Sequence, residues 1–545
     1  MSCAPIYYAS LSKGASLTIR DLSVDGQNLP TSAAFCIIGG GIAGLLLATR
    51  LARRRHNVVV LESGGLGFED EVHALNTLDD SQGHYKRELT GRYRGLGGSS
   101  SRWGGRMIPI SPREMEARDY LSQAPWPLPA SRLDKYQSEL EDLFRIGHDS
   151  FETIDAATPG ASNLLISDTE YLRARWAKCP TFKRCNIVTA LGREIRDSPY
   201  LTVVLHATVV DFSLDRERGR LTAITAKSLT QRTLTIKADE FTIAAGSIES
   251  TRLLLLLDAA SNDQAFARTN ALGRYFQDHL KAEVATVDRR RPQLTNHLFG
   301  YRFVKGSLRD PHLVLSHEAQ QRERVGSGFV YVSMGLANSG LQIIKSIAHG
   351  VQQGKLQATE LRQAFSQLGL LSTAAYWRLR HRQLYVPREI NFRLMACVEQ
   401  LPNAQNRIEL SKERDQLGVP KALLEWSPRP DDERAFQATI KQLAQYWSTS
   451  GFDELCPLIW HEDSSSKGGV VERAEACAHP SGSTRMGIDP ATSVVGPDLR
   501  CHAVPNLAVA SASVFPTAGS ANPTFAIMTM ALWLADSYLG SVAVG

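Results

Sequence analysis

The 545-residue sequence lacks most of the features that mark a specialised class. Its eight cysteines, at 3, 36, 179, 185, 397, 456, 477 and 501, form no CxxC and no CxxCH pair. Such scatter in a long chain reads as reduced thiols, with no metal or haem of its own. The start, MSCAPIYYASLSKGASLTIRDL, has neither the basic opening nor the unbroken apolar run of a signal peptide. Nowhere do about 18 apolar residues follow one another without a charge, so no membrane span is expected. These absences make a cytoplasmic protein the expectation. The net charge of +5, from 61 basic and 56 acidic residues, is slight. No helix-turn-helix, RNP or zinc-finger pattern accompanies it, so a nucleic-acid partner is excluded. There is no internal repeat and no low-complexity tract.

What is present is the composition of a folded chain, 43% hydrophobic, 8% aromatic and 21% charged, neither disordered nor fibrous. A chain of this length holds about two closely joined domains. Residues 34–40, AFCIIGG, form a short apolar run ending in glycine, as a buried parallel strand does. Residues 42–54 carry a helical pattern with a basic last turn, and NVVVLESG at 57–64 reads as a second buried strand. Strand, glycine turn, helix, strand is a βαβ unit.

Gly39, Gly41 and Gly44 of that turn fit GxGxxG. The first permits the tight turn, the second lets backbone approach a pyrophosphate, and the third lets helix and strand pack closely. The N–H groups of the helix beginning near Ile42 would face that pyrophosphate with the positive end of the helix dipole. Glu62 lies 18 positions after Gly44 (62 − 44), where an acid accepts hydrogen bonds from a ribose diol. These residues predict a dinucleotide and leave FAD and a nicotinamide cofactor open.

Further along, 201–244 alternates apolar and polar residues in three strand-like runs. From about 290 to 470 the pattern is mixed, with helical stretches around 351–383 and 431–448. Gly- and Ser-rich turns return at 479–487 and 511–520 before a closing helix. The fold class expected is α/β: a Rossmann-like nucleotide-binding domain, discontinuous in sequence, with an inserted α+β substrate domain of sheet and helices.

Seven segments, in order, resemble the glucose–methanol–choline (GMC) family of FAD-dependent oxidoreductases. They are the glycine turn itself; RGLGGSSSRWGG (94–105); HATVVDF (206–212); AAGSIESTRLLL (244–255); GRYFQDHL (273–280); QLPNAQNRIELS (400–411); and the pair HPSGSTRMG (479–487) with SVFPTAGSANPTFAI (513–527). The resemblance implies an FAD-binding domain made of 33–110, 195–289 and 471–545. The substrate domain is then 111–194 and 290–470, with 1–32 as an N-terminal extension. It also implies cofactor contacts at Gly39, Gly41, Ile42, Ala43, Gly44, Glu62 and Ser63. A second flavin-contacting loop supplies Gly97, Gly98, Ser99, Arg102, Trp103 and Gly104. Val209, Ala245 and Gly246 meet the adenine side, and Ser511, Ala512, Asn522, Pro523 and Thr524 the flavin side. Arg102 stands where some members carry a histidine bonded to the flavin, so dissociable FAD is expected. Ser511 stands where many members have Asp.

Oxidising an alcohol requires a proton acceptor for the hydroxyl while a hydride leaves the adjacent carbon, and imidazole suits the first task near neutral pH. By resemblance His479 is that base, and Asn522 is the second group holding the substrate oxygen. The other histidines, His279 and His502 among them, read as surface or satisfied core residues. Asn522 has a structural alternative as the N-cap of the last helix, with Pro523 at its first position. The expected partners are a small-molecule alcohol and either O₂ or an external electron acceptor. Two other functions compete: a nicotinamide-dependent dehydrogenase on the same turn, and a redox-silent FAD-containing lyase of the same family. Between Gly335 and Ile390 seven Lys or Arg face two Glu. A solvated helical insertion with snorkelling arginines is the expected reading, ahead of a lid that docks on a membrane.

Overall fold

A computed structural model describes residues 18–24, 28–80, 83–153, 166, 168–215, 217–335, 368–461 and 469–540. The βαβ unit forms as the pattern dictates. Strands Ser32–Ile38 and Val58–Leu61 pair in parallel, with Phe35 opposite Val58 and Ile38 opposite Leu61. The helix Ile42–Arg53 between them buries its apolar stripe. Its last-turn arginine, Arg50, pairs with Asp536 and Glu139, each at 2.7 Å. Those bonds tie it to the terminal helix Pro523–Tyr538 and to the helix Ser131–Phe144.

Around this unit grows an eight-stranded sheet. Its path runs Ile19–Asp21, Leu201–Leu205, Val58–Leu61, Ser32–Ile38, Thr233–Ile243, Arg220–Lys227, Thr208–Asp215, with Leu507–Val509 also on Thr233–Ile243. The strand Thr233–Ile243 serves two layers because it is long. Its C-terminal half pairs in parallel with Ser32–Ile38 and Leu507–Val509, while its N-terminal half pairs antiparallel with Arg220–Lys227. The extension expected at 1–32 therefore contributes a strand, Ile19–Asp21, to the sheet edge.

The second sheet also has eight strands, all antiparallel. Its centre is Ser307–Leu315, Gly328–Met334, Phe392–Glu399 and His279–Val287. His279–Val287, which lies inside the segment 195–289, pairs along its length with Phe392–Glu399 of this sheet. Its sequence alternates His279, Lys281 and Glu283 with Leu280, Ala282 and Val284, the pattern of a strand with one polar face. The apolar face packs against the long helix Pro430–Thr449, burying Phe436, Leu443, Tyr446 and Trp447. Glu475–Ala476 adds to the same sheet, beside Leu280 and Lys281.

Of the helical stretch expected around 351–383, residues up to 367 lie outside the described residues. The described part is a helix, Leu368–Tyr376, followed by a turn through Trp377–His381. Leu368, Tyr376 and Leu379 are exposed, and Arg378 lies over the Phe303 ring at 3.7 Å.

Candidate active site

The predicted nucleotide-side residues converge because each follows the C-terminal end of a parallel strand, the edge at which open α/β sheets bind ligands. The glycine turn follows Ser32–Ile38, and Glu62 follows Val58–Leu61. Ala245 and Gly246 follow Thr233–Ile243, and Ser511 follows Leu507–Val509. Val209 lies in the neighbouring antiparallel layer, opposite Ala226.

Two glycines in the turn answer to different causes. A Cβ on Gly44 would sit 2.0 Å from the Gly39 carbonyl oxygen, so helix packing alone demands glycine there. A Cβ on Gly41 would meet nothing nearer than 4.0 Å, and its φ of −80° suits any residue. Neither packing nor backbone explains Gly41. Open space beside an uncapped helix N-terminus fits a pyrophosphate lying against the first-turn N–H groups. The second glycine loop is braced on the first, with Gly97 N–H donating to Gly40 O at 2.8 Å. Glu62 is the clamp between them. Its carboxylate accepts from the N–H groups of Gly40, Gly64 and Gly95 at 2.8, 2.9 and 3.0 Å. Three of about four lone-pair directions are thus occupied, leaving one for a ribose hydroxyl.

Other predicted residues have protein partners of their own. Ser63 shares hydrogen bonds with Thr208 and Arg94, and Trp103 donates to Cys185 O. Ser511 bonds Ser513 at 2.6 Å. Arg102 lies against the rings of Phe68 and Tyr93, at 4.6 and 4.8 Å. Ser99 and Gly104 are exposed. Ile42 and Ala43 open the first helix, and Pro523 and Thr524 open the last one.

The segment of His479 is laid beside the Asp278–His279 pair by a two-way bridge. Gln277 and Ser481 exchange backbone hydrogen bonds at 3.0 and 2.9 Å. Gly482 turns the chain away with φ +86°, and a Cβ there would lie 2.2 Å from the Tyr275 carbonyl oxygen. The backbone N–H of His479 donates to Asp278 Oδ1 at 2.9 Å, and Tyr85 OH donates to Asp278 Oδ2 at 3.1 Å. Burial pushes the Asp278 carboxyl up to about 7.

The ring contacts of His479 determine its protonation. His279 Nε2 lies 2.6 Å from Gly519 O, and a carbonyl oxygen only accepts, so Nε2 carries the proton. Burial lowers the His279 pKa, so its ring is neutral and Nδ1 is an acceptor. His479 Nδ1 lies 2.9 Å from that acceptor and must donate to it. The lone pair of His479 is left on Nε2, where Asn522 Nδ2 donates at 3.1 Å. Burial, with His279 and Lys281 adding to it, pushes the His479 pKa well below the usual imidazole range.

Asn522 occupies the N-cap position by backbone, with Pro523 at the first helical position, yet its side chain makes no cap hydrogen bond. Its amide goes to His479, and its buried Oδ1 has no partner among the described residues. The helix end positions this side chain without using it. His502 bonds Ser493 Oγ at 3.0 Å and stays a structural histidine. His279 is the satisfied core residue expected, buried with both ring nitrogens bonded, and one of its partners is His479. Glu399 is a residue that sequence reasoning missed. It accepts from Gly519 N–H at 3.0 Å and pairs with Arg118 at 2.7 Å, fixing the carbonyl that fixes His279.

A family model described as GMC oxidoreductase matches residues 402–531, and one described as FAD dependent oxidoreductase matches 34–257. Paromamine 6'-oxidase of Streptomyces fradiae is 31% identical over 156 residues, 28% of this chain and 26% of that protein. 2-Methyl-1,2-propanediol dehydrogenase of Mycolicibacterium austroafricanum is 26% identical over 362 residues, 66% of this chain and 56% of that protein. These alignments span from a quarter to just over half of the two relatives' lengths. A solved structure of a formate oxidase variant of Aspergillus oryzae RIB40 superposes with a TM-score of 0.56 at 16% identity, covering 94% of this chain and 98% of that one. The last likeness is one of fold.

Proposed function

The chain belongs to the glucose–methanol–choline family of FAD-dependent oxidoreductases, and on that premise we propose that it oxidises the CH–OH group of a small-molecule alcohol to a carbonyl, with His479 as base. The observation that carries this reading is the lone pair on His479 Nε2, directed at the Asn522 amide by the His279–Gly519 chain. FAD, when bound, supplies the acceptor for the hydride that leaves the carbinol carbon. The glycine turn and Glu62 would hold its ADP half, with the 94–105 loop and residues 511–524 around the remainder. Arg102, in place of a bonding histidine, supports FAD held without a covalent link. O₂ or an external acceptor is the final electron sink.

The chain's own part follows from the geometry. A substrate hydroxyl enters between His479 and Asn522 and donates to Nε2, while the Asn522 N–H turns to the substrate oxygen. The hydroxyl proton passes to Nε2 as the hydride leaves. His279 Nδ1 then accepts a hydrogen bond from the charged ring, which stabilises it more than it did the neutral one. The relatives' names, an oxidase of paromamine and a dehydrogenase of a propanediol, fit this substrate class.

His479→Ala is expected to retain FAD and to slow anaerobic flavin reduction by alcohol about 10²-fold or more. Undiminished reduction would remove His479 from the chemistry.

A further inference from the structure

Beside the second sheet lies a surface element that neither core uses. The helix Leu368–Tyr376 runs on into the turn Trp377–His381, and from Leu368 to Pro387 there is no Asp or Glu. Leu368, Ser372, Ala375, Tyr376 and Leu379 are all exposed. Counted from Leu368 they stand at i, i+4, i+7, i+8 and i+11, the spacing of one side of a helix. A surface helix ordinarily turns such a stripe to the core. Here the stripe is turned outward, with Leu368, Tyr376 and Leu379 keeping 58, 57 and 73% of their surface open. Exposed apolar surface gathered in one place marks a contact site more often than scattered leucines do.

The opposite side holds the stripe in place. Trp377 is the one buried residue between Leu368 and His381, and it packs on the rings of His297 at 4.6 Å and Tyr385 at 5.8 Å. Phe303 N–H then donates to Arg382 O at 2.7 Å, and Leu384 N–H to Tyr301 O at 2.9 Å. The Gln383 amide donates to Asn296 O and His297 O at 3.1 and 3.2 Å. Apolar side chains held outward by such an anchor lose little further freedom when they meet an apolar phase.

Positive charge accompanies the stripe. Arg378 and Arg380 flank Leu379, Arg382 follows, and all three are exposed. Among the described residues no carboxylate pairs with any of them. Burial and then Arg382 lower the Arg378 pKa, and burial and then Arg380 lower that of His381, so like charge stands uncompensated here.

We propose that the stripe from Leu368 to Leu379, with Arg378, Arg380 and Arg382, docks this protein on the surface of an anionic lipid bilayer. The inference is independent of the chemistry at His479 and goes beyond it. Leu368, Tyr376 and Leu379 would enter the boundary between headgroups and acyl chains, just beneath the lipid phosphates. The guanidiniums beside them then meet those phosphates with paired N–H donors. At nine residues the helix is too short to span a bilayer, so it lies along the surface. An acidic protein would need a groove shaped to this outward stripe and carboxylates placed along it. A bilayer offers the apolar layer and the negative charge together, with no shape to match.

The test sediments the holoenzyme with vesicles of equal phosphatidylcholine and phosphatidylserine, and with vesicles of phosphatidylcholine alone. Binding to the mixed vesicles is expected, weakened by added salt and much weaker on phosphatidylcholine alone. Leu379→Ser should weaken binding to the mixed vesicles by about tenfold. The paired variant R380Q/R382Q should weaken it by about tenfold or more. These three side chains are exposed, so both variants should keep the wild-type melting temperature and FAD content. Absence of binding, equal binding to the two kinds of vesicle, or full binding by either variant overturns the proposal. Retention on immobilised polyglutamate without vesicle binding also overturns it, and makes an acidic polypeptide the partner.

Discussion

His279 Nδ1 lies 2.9 Å from His479 Nδ1, and this contact decides which nitrogen of His479 is free to act. Two imidazoles meeting through the same ring position cannot both donate, and Gly519 O settles which one does. His279 is therefore a positioning residue that holds the lone pair of its neighbour toward Asn522.

Replacing His279 should thus affect rate according to whether an acceptor remains. His279→Leu removes the acceptor for His479 Nδ1–H, and flavin reduction should slow by about 10–10²-fold with FAD still bound. His279→Gln, whose amide oxygen accepts, should recover part of that loss. Equal activity in the two variants would show that His279 only fills space.

The pH dependence has a definite sign. A histidine whose pKa is lowered in the folded protein stays neutral, and able to accept a proton, well below the usual value of 6.5. The acid limb of kcat/KM for alcohol is expected below pH 6.5, with activity flat from there through neutrality. Protonation of His479 also opposes folding, so its contribution to stability is present above 6.5 and lost as pH falls further. An acid limb at or above the ordinary imidazole value would contradict the buried, neutral ring.

Much of this was legible in the residue pattern, and the exceptions have physical causes. The glycine turn, Glu62 and both flanking strands were readable because tight backbone geometry restricts residue choice locally. His479 and Asn522 were readable by resemblance, but not their geometry: 43 positions separate them, and the segment of the first is held in place by the Gln277–Ser481 bridge together with Cys477 N–H to His279 O and His479 N–H to Asp278. The contact of His279 with His479 was missed because a lone histidine on a strand carries no sign of what it faces. The alternation of 279–287 did carry the signal that this strand has a polar face, and so belongs to the second sheet. Glu62 shows the converse, since the spacing gave its position while the three backbone N–H groups that share it come from folding.

The two glycines of the turn separate folding from binding. Gly44→Ala places a Cβ 2.0 Å from a backbone carbonyl, so it should destabilise the protein by about 1–3 kcal/mol or more. Gly41→Ala meets no obstacle and restricts the unfolded chain, so its melting temperature without FAD should match or slightly exceed wild type. Its FAD content after gel filtration should nevertheless fall, because the methyl group intrudes where the pyrophosphate approaches. Full FAD retention by Gly41→Ala would place the cofactor elsewhere.

Glu249, at the start of the helix Ser247–Ala260, holds three arginines together: Arg94 and Arg252 at 3.0 Å and Arg92 at 3.7 Å. Burial pushes its carboxyl pKa up, but Arg94, Arg252 and Arg92 outweigh burial and hold it at about 2, below the ordinary 4.5. A carboxylate depressed in the folded state stabilises fully above the unfolded value, and that contribution is lost as pH falls from about 4.5 toward 2. Glu249→Gln leaves the guanidiniums buried with one counter-charge fewer, which should cost about 3–5 kcal/mol near neutral pH. Arg252 keeps Asp415 at 2.7 Å, so the cost falls mainly on Arg92 and Arg94. Thermal melts of both proteins from pH 7 down to 3 should show a large gap that narrows as Glu249 takes up its proton. A gap that stays constant across that range would mean the carboxylate's charge contributes nothing, and that shape alone holds the cluster.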